Sequence, residues 1–167
     1  MSKWLLKEEP THYSWSDLVR DGRTEWNGVH NALALRHLRG MAPGDPAIFY
    51  HSGDVRSCVG LMVVAAPPHP DPDDDRGSWS VAVRPVRPLP RPVPLAEIRA
   101  DPTFAGFDLL RISRLSVLPV PDAMWERILA LGGVPADRLL SPVREGSKGR
   151  AKATASSRRA PGRRRRR

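Results

Sequence analysis

The chain has 167 residues, 40% of them apolar, a single cysteine and a formal net charge of +9. That length suits one domain with extra segments, one cysteine excludes an intrachain disulfide, and no apolar run reaches the roughly 18 residues of a membrane span. Ten of the 27 Lys and Arg residues lie in 146–167 with no Asp or Glu, which leaves 17 basic against all 18 acidic residues before it, so the basic character belongs to the tail and not to the folded part.

"KWLLK" (3–7) reads as a short strand, ended by "EEP". The short apolar start followed at once by charges does not read as a leader peptide. "SWSDLVRDG" (14–22) reads as a helix with a Ser cap and a Gly stop. A loop carrying Trp26 follows, and "NALALRHLRGMAPGD" (31–45) has Leu35, Leu38 and Met41 at helical spacing behind a cap candidate in Asn31. "PAIFYHS" (46–52) and "SCVGLMVVAA" (57–66) read as strands around a "SGDVR" turn; the second makes Cys58 a buried strand residue and points to a reducing, cytoplasmic setting. The Pro and Asp content of "PPHPDPDDDRG" (67–77) predicts a solvated loop without regular structure. "SWSVAVRPVRPL" (78–89) alternates as a strand, with Pro85 and Pro88 marking an edge or an end. A short helix at 94–101, a last strand at 114–120 and a helix at 121–133 with Met124, Trp125, Ile128 and Leu131 on one stripe complete the reading. The expected layout is a domain over 1–133, a C-terminal extension of unassigned character at 134–145, and a compositionally disordered basic tail at 146–167. Five bent strands with intervening helices and no βα alternation predict an α+β fold, a small open barrel flanked by helices.

No metal signature, dinucleotide fingerprint or phosphate loop is present, so neither a metal nor a cofactor is expected. The polar candidates gather at strand and helix ends: Lys7 and Glu9, Trp26 and Asn31, Tyr50, His51 and Ser52, and Arg114 with Ser116. Together they offer an aromatic plane beside amides and hydroxyls. Trp26 can supply the plane, and the Asn-Gly turn after it can aim the indole through a positive φ at Gly28. Each candidate has a plainer alternative: Trp26 as a core anchor, Asn31 as a helix cap, His51 as a structural histidine, Arg114 as an ion-pair partner.

Six blocks in order, "WLLKEEP", "TEWNGVHNALALRHLRGMAPGD", "FYHSG", "VGLMVV", "RPVPLAEI" and "RISRLSVLPVPDAMWERIL", resemble the EVE domain over about Trp4 to Leu131. That PUA-like family stands beside the YTH readers of methylated RNA and the thymocyte nuclear protein. The resemblance implies a pseudo-barrel with a pocket for a modified base in DNA or RNA. It carries the pocket role onto Trp26, Gly28, Val29 and Asn31, onto Tyr50, His51 and Ser52, onto Lys7 and Glu9, and onto Arg114, Leu115 and Ser116. The family often has Ser where this chain has Glu8. The expected function is therefore a monomeric, non-catalytic module that reads a modified base, with Lys148, Arg150, Lys152, Arg158, Arg159 and Arg163 of the tail adding phosphate affinity. The alternative is a hydrolase of acylated nucleosides like the ASCH proteins, with Lys7 and Glu9 as base and orienter.

Overall fold

A computed structural model describes residues 1–135. A curled half-barrel sheet is built from β1 (Trp4–Glu8), β2 (Thr24–Trp26), β3 (Pro46–His51), β4 (Ser57–Val64), β5 (His69–Pro70), β6 (Trp79–Pro94) and β7 (Val117–Pro119). The spatial order is β2-β6-β4-β3-β1-β7, with β5 on β6. β1 runs parallel to β3, pairing Lys7 with Tyr50 and Glu8 with His51, and the other pairs are antiparallel. The helices are α1 (Trp15–Asp21), α2 (Ala32–Arg39), α3 (Leu95–Ala100), α4 (Asp108–Arg111) and α5 (Asp122–Leu131), with a 3-10 turn at Pro102–Phe104. The expected α+β pseudo-barrel is what forms. Among the described residues no helix is long and apolar enough to cross a membrane.

Local chemistry explains most boundaries. Ser14 and Asp17 form a reciprocal capping box at the start of α1, and Gly22 at φ 70° ends it. The Asn31 side chain accepts from the amides of Leu33 and Ala34 to start α2. Four expectations are corrected. The expected loop carrying Trp26 contains β2, a three-residue strand whose pairing comes from β6. The 67–77 segment contains β5, because a two-residue edge strand against Trp79 and Ser80 tolerates Pro70. The expected 78–89 strand runs on to Pro94: its register against β4 is broken at Cys58/Gly60 and Leu61/Met62, and a bulged, bent ladder accommodates prolines. The last strand shrinks from 114–120 to Val117–Pro119, since α4 and the turn after it take up the residues before it.

The core joins both faces of the sheet. Phe49 receives the rings of Trp15 and Trp26 edge-on, with centroids at 5.9 and 5.3 Å. Trp4 buries its indole and donates from Nε1 to Asp45 at 3.0 Å, while Asp45 also accepts from the Ala42 amide. Trp125, Phe104 and Phe107 fill the space around α5. Cys58 is fully buried and burial pushes its thiol up to about 12, which leaves it an inert core residue. Gly60 on β4 is forced by its neighbour, since an added β-carbon would stand 2.4 Å from the Trp15 ring. Gly60→Ala should cost about 1–3 kcal/mol through overpacking, read as a lowered denaturant midpoint with an unchanged slope; an unchanged midpoint would show that the Trp15 ring is free to shift.

Candidate functional site

Lys7 and Glu8 are consecutive on β1, so their side chains leave on opposite faces of the sheet. This alternation divides the expected pocket residues between two concavities at the same end of the strand. The first lies between that end, β2 and the segment before α1. It is a cavity of about 340 Å³ lined by Glu8, Tyr13, Thr24, Glu25, Trp26 and Asn27, a size at the small end of ligand sites.

Trp26 holds two positions at once. It is only 5% exposed, lies opposite Val81 and packs edge-on against Phe49, and it also walls this cavity. Gly28 at φ 73° turns the chain directly after it, which tucks Val29 into the core, where the Ser78 hydroxyl donates to its carbonyl at 2.8 Å. Val29 and Asn31 line neither concavity; the first is an anchor and the second a cap. Glu8 reaches the cavity with its carboxyl partly exposed, and one oxygen accepts from the Glu9 amide at 3.0 Å. The Tyr13 hydroxyl donates to Asp21 at 2.8 Å, and desolvation raises its pKa above the ordinary tyrosine value.

The second concavity, about 250 Å³, is lined by Lys7, Tyr50, Ser52, Arg56, Arg99 and Ser113 with Leu95, Leu109 and Leu110. The Lys7 ammonium stands 5.9 Å from the Tyr50 ring centroid and donates to the Ser113 carbonyl at 3.2 Å. Burial lowers the Lys7 pKa and pushes the Tyr50 hydroxyl up to about 12.

Four expected site residues serve the framework. Leu115 is fully buried and the Ser116 carbonyl accepts from the Lys7 amide at 2.9 Å, so both extend the β1–β7 junction. The Glu9 carbonyl accepts from the amides of His12 and Tyr13, and the Lys7–Glu9 pair of the hydrolase alternative makes no ion pair among the described residues. His51 points away from Tyr50 and Ser52: its Nε2 accepts from the Trp15 amide at 3.0 Å, which places the ring proton on Nδ1. Arg114 is exposed and makes no hydrogen bond or ion pair among the described residues. The tail residues Lys148 to Arg163 lie outside the described residues. Sequence reasoning missed Tyr13, Thr24, Glu25 and Asn27 in the first cavity and Arg56 and Arg99 in the second, and it singled out Glu8 only as a departure from the family pattern. Only Asn27 carried a signal, its place between Trp26 and Gly28; Thr24 reaches the cavity on β2, a three-residue strand with no detectable alternation, and Tyr13 reaches it from the segment before α1.

His51 and the half-buried His37, whose Nε2 has no partner among the described residues, both have pKa values lowered by desolvation. A lowered imidazole pKa means that the unfolded chain binds more protons below the ordinary value of about 6.5. Their contribution to stability is complete above about pH 6.5 and is lost as pH falls from there toward the folded-state values. Exposed His69, raised first by the Pro70 carbonyl and then by Glu25, acts weakly in the opposite sense. Thermal melts should therefore weaken on the acid side of pH 6.5, and His51→Gln, which keeps an acceptor but does not titrate, should shrink that loss. An equal acid-side loss in the variant would remove His51 from the explanation.

Comparison with known proteins gives a consistent result. The EVE domain family model matches residues 2–131. Human thymocyte nuclear protein 1 is 32% identical over 165 residues, covering 78% of this chain and 73% of that protein. Among solved structures, a protein from Agrobacterium tumefaciens superposes with a TM-score of 0.80 at 35% identity, covering 85% of this chain and 99% of that one. The human THYN1 protein in complex with 5-methylcytosine containing DNA superposes with a TM-score of 0.73 at 27% identity, covering 81% and 99%.

Proposed function

The chain belongs to the EVE domain family, and from that membership we propose that it is a non-catalytic module that binds nucleic acid by admitting a modified base to the cavity between Glu8 and Trp26. One observation carries the reading: the same concavity joins an aromatic wall, Trp26, to a carboxyl group at its edge, Glu8. A base extruded from a duplex needs a plane for its faces and hydrogen-bonding groups for its edge. The carboxylate favours a base that presents an exocyclic amine, as cytosine does through N4. Asn27 and the Thr24 hydroxyl supply further edge contacts. The human relative's complex with 5-methylcytosine containing DNA supports the same substrate class.

A panel of short oligonucleotides, each with one modified base, tests the proposal, with free modified nucleosides incubated alongside. Saturable binding that prefers a modified cytosine, without product, is the expected result. Product formation would favour the hydrolase reading, and equal affinity for every oligonucleotide would remove the base-reading role.

The tail is assigned a separate task. Phosphate contacts raise affinity for any sequence and make it salt-dependent, whereas base contacts discriminate. If about half of the ten tail cations engage duplex DNA, the log–log salt slope is on the order of −4 to −5. Deleting 146–167 should flatten that slope and preserve the ratio of modified to unmodified affinities. A truncated chain that keeps its full slope would move phosphate binding onto the folded domain.

A further inference from the structure

The second concavity brings three cations, Lys7, Arg56 and Arg99, into one small space whose lining contains no carboxylate. We propose that it is a phosphoryl site that holds the backbone phosphate next to the base in the Glu8–Trp26 cavity; the choice of a phosphodiester rests on the base-binding reading.

Among the described residues these cations have no ion-pair partner. Lys7 is withdrawn far enough from water to lose basicity, yet its only side-chain hydrogen bond among the described residues goes to the Ser113 carbonyl. A desolvated ammonium without an anion is costly, and a bound anion removes the cost. Acids nearby are turned elsewhere or stay outside the lining: Glu97 pairs with Arg91, Asp54 is on the exposed turn, and the Glu9 carboxyl lies beside the lining residue Gly53 without itself lining the space. The Tyr50 hydroxyl, pushed up to about 12, stays protonated and able to donate.

Arg56 is held in place at a cost. At φ 48° it is the one non-glycine residue of positive φ among those described, a conformation that β-carbons disfavour. Its Nε donates to the Gly53 carbonyl at 3.1 Å, which pins the guanidinium on the β3–β4 turn and leaves its terminal nitrogens for a ligand. Ser52 and Ser113 add hydroxyls from two sides.

The two cavities are also adjacent. Consecutive α-carbons are about 3.8 Å apart, so Lys7 and Glu8 put one concavity on each side of the same strand end. Ser52, which lines the cationic side, donates its amide to the Glu8 carbonyl at 3.0 Å. A strand whose base enters beside Glu8 needs only to cross this rim to set a phosphate among the cations.

The test uses the full chain and an oligonucleotide with one 5-methylcytosine, with a neutral methylphosphonate placed at the phosphates flanking that base. In the wild type the neutral linkage should weaken binding roughly 10- to 100-fold, as loss of charge-assisted hydrogen bonds does. In Arg56→Gly, which also relieves the positive φ, and in Arg99→Met, the same linkage should cost little, while the preference for the modified base persists. An equal methylphosphonate penalty in wild type and variants would overturn the proposal. If the chain shows no base preference, inorganic phosphate decides the question alone. Saturable shifts of the Arg56 and Arg99 Nε–H resonances would establish a phosphoryl site without base reading, and unmoved resonances would overturn it.

Discussion

Trp26→Ala should lower stability by about 3–5 kcal/mol, the usual result of emptying a buried tryptophan site. The side chain is 5% exposed and meets Phe49 edge-on, so the truncation leaves a void between β2 and β3. The melting temperature should fall by on the order of 10 °C or more. The same indole walls the cavity of Glu8 and Asn27, and loss of a stacking plane is worth about 1–3 kcal/mol per base. Affinity for the preferred base, measured below the new melting temperature, should therefore fall by roughly 5- to 150-fold. Trp26→Phe keeps a ring against Phe49 and should lose less of both. Affinity that survives unchanged on the folded fraction would leave Trp26 a core residue only.

Glu8→Ala is expected to separate binding from stability. The Glu8 side chain is partly exposed, and the His12 imidazole 3.7 Å from it lies on the surface, so stability should move by no more than about 0.5 kcal/mol. Binding of a cytosine-class base should weaken by about 1–3 kcal/mol, the worth of a good edge contact. Thymine-class bases present a carbonyl where cytosine presents an amine, and a carboxylate opposite that carbonyl sets acceptor against acceptor. Glu8→Gln offers N–H donors as well as a carbonyl, so it should narrow the cytosine-to-thymine ratio more than it lowers cytosine affinity. Competition titrations with matched oligonucleotides read both effects, and a ratio unchanged in both variants would take Glu8 out of edge reading.

The sequence made the half-barrel legible because its long strands carry their own signals. β3 and β4 are almost continuously apolar, α1 has both caps in sequence, and α5 has Trp125 and Ile128 on one stripe. β2 and β5 were invisible, because strands of three and two residues gain their pairing from β6 and not from any pattern of their own. The site followed the same logic. Trp26, Tyr50, Ser52 and Lys7 could be singled out as chemistry left at element ends. That Lys7 and Glu8 serve different cavities depends on where β1 sits between β3 and β7, which no local pattern contains. Asn31 and His51 looked like recognition groups because their side chains are good hydrogen-bonding partners, and the fold uses them for the amides of α2 and of Trp15. The cationic pair of Arg56 and Arg99 comes from a hairpin turn and from α3, 43 positions apart in the numbering, and only the packing of α3 and α4 on the sheet end unites them.

The central claim is that a base leaves its stack and enters the Glu8–Trp26 cavity, and proton NMR of the complex tests it most directly. The probe is a duplex with one 5-methylcytosine, labelled at its methyl carbon and paired with guanine, titrated with the full chain to saturation. Extrusion breaks the base pair and sets the methyl group against the indole, so the paired guanine imino signal should disappear and the methyl resonance should move upfield. Saturation with that imino signal intact and the methyl resonance unmoved would contradict the account, because the chain would then hold the duplex without taking the base out of it.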